Sequence, residues 1–229
     1  MRKLLITLAL ALCAGLALAA DIVTMPTANQ LKKGEVEVAA YYLNLDLPPA
    51  APQNVWYQTL YVGVTDWLEL DLHRADVDND KVSTVLVASV KVLSETAATP
   101  DVVIGARNIT GERTTNNPAV ANLSEDTSFF VSAAKTFFLG EQPGPPLARL
   151  HLSYGNADWT LLGEARHNGF FGGAQFLITP QIGAVAIHDG TDLITGLTFM
   201  PQSLPGLTLK AGTYGDHQWI GAAYTKALF

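Results

Sequence analysis

Apolar and polar residues alternate with a period of two along much of this chain. Between Trp67 and Leu93, Leu68, Leu70 and Leu72 are interleaved with Glu69, Asp71 and His73. Successive side chains of a strand point to opposite faces, so this spacing predicts strand and fits no helix. The pattern recurs. Leu150, Leu152 and Tyr154 stand against Arg149, His151 and Ser153; Val82, Leu86, Ala88, Val90 and Val92 against Ser83, Ser89 and Lys91; Leu207, Leu209 and Ala211 against Thr208, Lys210 and Gly212. Strands are predicted near Glu35 to Asp46, Asn54 to Val64, Trp67 to Val77, Lys81 to Ser94, Asp101 to Thr110 and Thr127 to Phe137. Six more follow near Leu147 to Gly155, Phe170 to Ile178, Ile182 to Asp189, Leu193 to Phe199, Leu207 to Tyr214 and Gln218 to Phe229. Turn-forming residues separate them. An opening segment, Asp21 to Gly34, reads as neither strand nor helix, and no linker divides residues 21–229, which are read as one domain.

Two solvents can explain such strands. A soluble sheet puts its leucines on a core, and a membrane barrel turns them to lipid around a polar lumen. The even strand number favours the barrel. So do the connections, short at Thr65-Asp66 and Thr179 to Gln181 and long in "GERTTNNPAVANLSED" and "NADWTLLGEARHNG", although "FLGEQPGPP" is long where a short turn is expected. Trp67, Phe137, Phe138, Phe170, Phe171, Phe199, Tyr214 and Phe229 fall at or near predicted strand ends, where interfacial aromatic girdles sit. Phe229 also resembles the terminal aromatic that targets barrel proteins for assembly. The expected fold is all-β, a single antiparallel transmembrane barrel of about 12 strands. Outer-membrane lipids and the barrel-assembly machinery are the partners it implies. A soluble periplasmic β-barrel binding a small ligand is the alternative.

The N-terminus points to export. Arg2 and Lys3 precede the apolar run Leu4 to Leu16 and an Ala17-Leu18-Ala19 cleavage pattern, so residues 1–20 read as a signal peptide removed on the way to the bacterial outer membrane. The run is short of the roughly 20 residues a spanning helix needs. Cys13, the only cysteine, lies in that segment and follows Leu12 where a lipobox expects a small residue. No disulfide is therefore expected. Losing two of 14 basic residues leaves 12 against 21 acidic ones, a net charge of −9, which argues against nucleic acid as a partner.

The polar faces carry the candidate functional residues. Glu69, Asp71, His73, Lys91, Arg107, Arg149, His151 and Lys210 are expected to line the lumen, with Lys91 or Arg107 as counter-ions for the acids of the third strand. Charged side chains can largely fill a twelve-strand lumen, so a structural role or a narrow passive path is expected. His151-x-Ser153 resembles a piece of outer-membrane lipid A deacylases, which makes a lipid A-modifying enzyme the rival. That chemistry needs an orienting acid and an outward-facing pair, yet Leu150, Leu152 and Tyr154 claim the outer face. No enzyme activity is expected. The five histidines, His73, His151, His167, His188 and His217, show no metal-ligand spacing on one element. Asp76, Asp78 and Asp80 lack the Gly and Glu of a calcium loop, and Gly172-Gly173 suits close strand packing. No cofactor or metal is expected.

Several pieces resemble the YjbH-like outer-membrane barrel family: "MPTANQLKKGEVEVAAYY", "YVGVTDWLELDL", "GARNITGE", "RLHLSYG" and "IHDGTDLITGLTF". They are short and scattered over residues 25–199, and none is a catalytic signature. The resemblance implies a link to exopolysaccharide production or export, with polysaccharide as a partner. Ile187 stands where the family element around His188 to Gly190 usually has an acidic residue.

Overall fold

The computed structural model describes residues 25–45, 53–77, 81–110, 121–123, 127–138, 147–156, 159–161 and 164–228. The predicted signal peptide, Asp78, Asp80 and Phe229 lie outside the described residues. Twelve strands form the wall of a closed barrel. They are β1 Glu35–Leu45, β2 Gln53–Gly63, β3 Leu68–Val77, β4 Lys81–Leu93, β5 Asp101–Arg107, β7 Ser128–Phe138, β8 Leu147–Gly155, β11 Gly169–Thr179, β12 Ile182–His188, β13 Leu193–Phe199, β14 Leu207–Tyr214 and β15 His217–Ala227. Every neighbouring pair is antiparallel, and β1 closes on β15 from Glu35↔Ala227 to Asn44↔Gln218. Closure leaves the wall without an unpaired edge. The fold expected from the alternation is the fold observed.

The end at which Leu228 N donates to Gly34 O is called here the near end, and the opposite one the far end. Tight joins such as those between β2 and β3 or β11 and β12 lie at the near end. The two longest connections leave at the far end and hold a small second sheet, β6 Ala121–Leu123, β9 Trp159–Leu161 and β10 Glu164–Arg166, in the order β10-β9-β6. The sequence pattern predicts loops for these segments. Three residues are too few for a period-2 pattern to register.

The wall keeps its two faces apart. On β3, Leu70 and Leu72 are exposed on the outside while Glu69, Asp71 and His73 are buried inside. On β8, Leu150, Leu152 and Tyr154 are outside, with His151 and Ser153 inside. The outer apolar belt continues through Val38, Ile104, Val131, Phe176, Leu197, Leu209 and Ile220. Trp67, Phe137, Phe138 and Phe199 are exposed towards its near rim, and Trp56, Phe129, Tyr154 and Phe170 towards its far rim. Two residues expected in these girdles are elsewhere. Phe171 and Tyr214, 2% and 1% exposed, point inward because each is one residue out of phase with its strand's outer face.

Candidate functional site

The interior is more apolar than a lumen filled by charged side chains. Tyr41, Leu43, Val55, Tyr57, Val85, Val87, Val103, Phe130, Phe171, Ile187, Ile194 and Trp219 form one buried cluster within the ring of strands. Barrel diameter grows with strand number, and about eight strands already enclose a space that side chains just fill. Twelve strands need more material, and two devices supply it. Broad rings lie across small residues: a Cβ added to Gly221 would meet Tyr41 at 2.3 Å, and one added to Gly105 would meet Phe130 at 2.1 Å.

The second device is the opening segment itself. Residues 25–33 run inside the barrel and leave at the near end, with Met25, Thr27, Ala28 and Leu31 buried. Having no strand partner along most of this stretch, the backbone and amide side chains bond to the wall instead. Pro26 O accepts from Ser132 and Ser153 hydroxyls at 3.3 and 3.4 Å, and those hydroxyls are 2.7 Å apart. Gln30 donates to Ser89 Oγ at 2.6 Å, and the Leu31 N–H to Glu69 Oε2 at 2.6 Å. Arg149 Nε donates to Asn29 Oδ1 at 2.7 Å. Lys32 O passes so close to β2 that a Cβ on Gly63 would lie 2.0 Å from it.

Arg149 also locks the near mouth. Its other nitrogens reach Glu95 Oε2 at 2.6 Å, Thr136 Oγ1 at 2.8 Å and Asp101 Oδ2 at 2.7 Å. Glu95 in turn accepts from the Thr136 backbone N–H at 2.7 Å and lies 3.5 Å from Lys135. Burial pushes the Glu95 carboxyl up. The Thr136 N–H and hydroxyl and the Arg149 guanidinium outweigh it and hold its pKa below the ordinary glutamate range. A depressed folded-state pKa means stability that is complete above the unfolded value of about 4.3 and is lost as pH falls through the folded one. Melting temperature should therefore drop as pH is lowered below about 4.3. In Glu95→Gln it should start lower at pH 7 and change less over the same interval. Identical acid limbs in the two proteins, followed by circular dichroism, would contradict the clasp.

A second polar cluster closes the far end. Arg166, fully buried, reaches Asp192 Oδ2 at 2.6 Å and Asp189 Oδ2 at 3.4 Å, and lies 5.5 Å from the Tyr214 ring centroid. Tyr214 donates to Asp189. Arg107 Nη1 bonds to His167 Nδ1 at 2.7 Å. Burial, with Arg107 and Arg166 close by, holds the His167 imidazole well below its usual pKa. Between the two clusters, Lys210 donates to Tyr41 Oη at 3.0 Å and Thr225 to Glu37 at 2.6 Å.

The eight sequence-predicted residues thus divide. Glu69 and Arg149 hold the inner segment, and His151 contacts Gln175 at 3.3 Å beside it. Asp71, His73 and Lys210 are buried along the lumen, and Arg107 lies at the far cluster. Lys91 is at the near mouth, 3.9 Å from Asp101. The expected counter-ion role of Lys91 and Arg107 for the third-strand acids is corrected: the one faces Asp101 and the other His167. The missed residues are Asn29, Gln30, Arg166, Asp189 and Tyr214. The only signal for the first two was a proline-containing polar stretch with no period, and the last three converge from three separate elements.

No family model and no curated protein matches this chain. Among solved structures it is similar to the COG4313 outer membrane channel from Pseudomonas putida F1, with 14% identity, 86% of this chain and 97% of that one covered, and a TM-score of 0.42. It is also similar to the N-terminal β-barrel domain of Pseudomonas aeruginosa OprF, with 10% identity, 86% and 100% covered, and a TM-score of 0.28.

Proposed function

We propose that this chain is a bacterial outer-membrane barrel, assembled by the barrel-assembly machinery, with a structural role or a narrow passive path that its own N-terminal segment keeps nearly shut. One observation carries the reading: the wall is turned inside out relative to a soluble protein. Leucines, isoleucines and phenylalanines cover the outside, and Glu37, Glu69, Asp71, Arg107, Arg166 and Lys210 are buried inside. A continuous apolar belt of this kind is costly in water and favourable in lipid. A soluble ligand-binding barrel fits it poorly. The protein should fractionate with the outer membrane and, once folded in detergent, migrate on gels at a position that shifts on heating. Recovery in the soluble periplasmic extract without detergent would refute the proposal.

The non-enzymatic reading is supported by the place of His151 and Ser153. Both lie inside the wall, where Ser153 bonds to Ser132 and Pro26 and His151 contacts Gln175. A lipid substrate on the outer face meets Leu150 and Leu152 instead. Within this reading, a part in exopolysaccharide production or export is supported by the resemblance to YjbH-like sequences. Loss of secreted polysaccharide on deletion of the gene, restored by the wild-type chain, tests that part separately.

A further inference from the structure

The outer wall is not an even cylinder. A groove of about 570 Å³ crosses it over β7, β8, β11 and β12, and Leu150, Leu152, Phe137 and Phe170 stand exposed around it. Its floor is low because the residues there are small. Ala133, Leu152, Gly172 and His188 are successive partners along one row of strand pairing, and Ala133 and Gly172 project little from it. Gly172 has no room for more: an added Cβ would lie 2.3 Å from His151 O, a backbone atom of β8. Strands of membrane barrels tilt by about 35–45°, so a row of partners climbs the wall on the slant. The groove thus joins the near-rim side, at Pro100 and Phe137, to the far-rim side, at Phe170 and His188.

Its length and its ends point to an occupant. Lys135 on β7 and His188 on β12 are three strand spacings apart, and Pro100, beside β5, adds a fourth, about 19 Å in all. One acyl chain of a leaflet reaches half of the roughly 30 Å hydrocarbon core, about 15 Å, and further when it lies aslant. At the far end the Gly190 N–H donates to His188 Nδ1 at 3.1 Å. The ring proton is then on Nε2, a donor with no acceptor among the described residues. At the other end Lys135 donates to the Thr96, Ala97 and Thr99 carbonyls and lies 3.5 Å from Glu95, so its charge is already met. A polyanionic lipid finds no free cation along this lining.

We propose that the groove holds one acyl chain of a zwitterionic glycerophospholipid, whose ester carbonyl accepts from His188 Nε2. The inference rests on the outer face meeting lipid and adds a defined site to it. Within a bilayer there is no hydrophobic drive to fill a groove. The gain is van der Waals contact along the flanks of Leu150, Leu152 and Phe170, with one hydrogen bond to fix the chain's position.

Native mass spectrometry on the delipidated protein folded in detergent tests it, with dipalmitoyl phosphatidylethanolamine as probe and lipid A as competitor. One saturable phosphatidylethanolamine adduct is expected, and lipid A should not displace it. Ala133→Phe, which fills the floor from the outer face, should weaken binding about tenfold or more. Val131→Phe adds the same ring two residues along the same face, outside the groove, and should bind as the wild type does. His188→Phe keeps a ring and removes the donor; it should weaken binding severalfold, and it decides the matter if Ala133→Phe does not fold. Absence of a saturable adduct, displacement by lipid A, or undiminished binding by folded Ala133→Phe or by His188→Phe overturns the proposal. Heat-modifiable mobility of the same sample reads the barrel itself, so a folded barrel without the adduct sinks this inference alone.

Discussion

Replacing Gly63 with valine should expel the N-terminal segment from the lumen and turn a nearly closed barrel into a conducting one. Gly63 faces inward at the near end, where Lys32 O would lie 2.0 Å from any Cβ and Leu31 O 3.0 Å. Both contacts are backbone, so no side-chain rotation relieves them. Moving the chain away breaks the Leu31 N–H bond to the Glu69 carboxylate, a charge-assisted contact of about 1.5–3 kcal/mol. The bond from Gln30 to Ser89 and that from Arg149 Nε to Asn29 are the next to go. Arg149 keeps Glu95 and Asp101, so the mouth of the wall stays joined while the segment leaves. Single-channel recording should show conductance well above wild type. Ala28→Cys, fully buried in the wild type, should become reactive to maleimide only when combined with Gly63→Val. Val64→Ala, at the next residue and on the outer face, is the control. Wild-type conductance together with a reactive Ala28→Cys would show that the segment is not what closes the lumen.

Leu70→Arg should block folding into detergent micelles far more than Asp71→Asn, though the two positions are adjacent. Leu70 is exposed on the outer face between Val62 and Ala88, and Asp71 is buried between Tyr61 and Val87. If the outer face meets acyl chains, an arginine near the midplane costs about 2–4 kcal/mol. Asp71→Asn keeps the volume of a residue that is already enclosed and turns one acceptor oxygen into a donor, so its cost should be about 1 kcal/mol. The yield of the heat-modifiable folded form reads both variants. Equal yields would mean that the leucine face does not meet lipid.

The strands were legible because the signal is local. From Leu68 to His73, β3 alternates leucine with a charged or polar residue, and one face must be buried away from the other's solvent. The same rule puts His151 and Ser153 inside from the sequence alone, since Leu150, Leu152 and Tyr154 take the outer positions of β8. The phase is least legible for aromatics at strand ends, as Phe171 and Tyr214 show. Phe170 and Phe171 are alike in type and opposite in face, and only the hydrogen-bonded register with β8 and β12 decides which is which.

The sequence by itself determined an all-β chain of twelve barrel strands, their approximate limits and the inward direction of the polar residues, because alternation and turn chemistry are properties of neighbours in the chain. Only the tertiary structure decided what fills the barrel. Met25 to Lys33 carries no periodicity, and its place inside depends on bonds to Ser89, Ser132, Arg149 and Gln175, which are 59 to 146 residues away along the chain. Ion pairing is equally non-local: Arg149 meets Glu95 and Asp101, 54 and 48 residues away along the chain. Closure of the sheet sets these distances, and no stretch of sequence contains them.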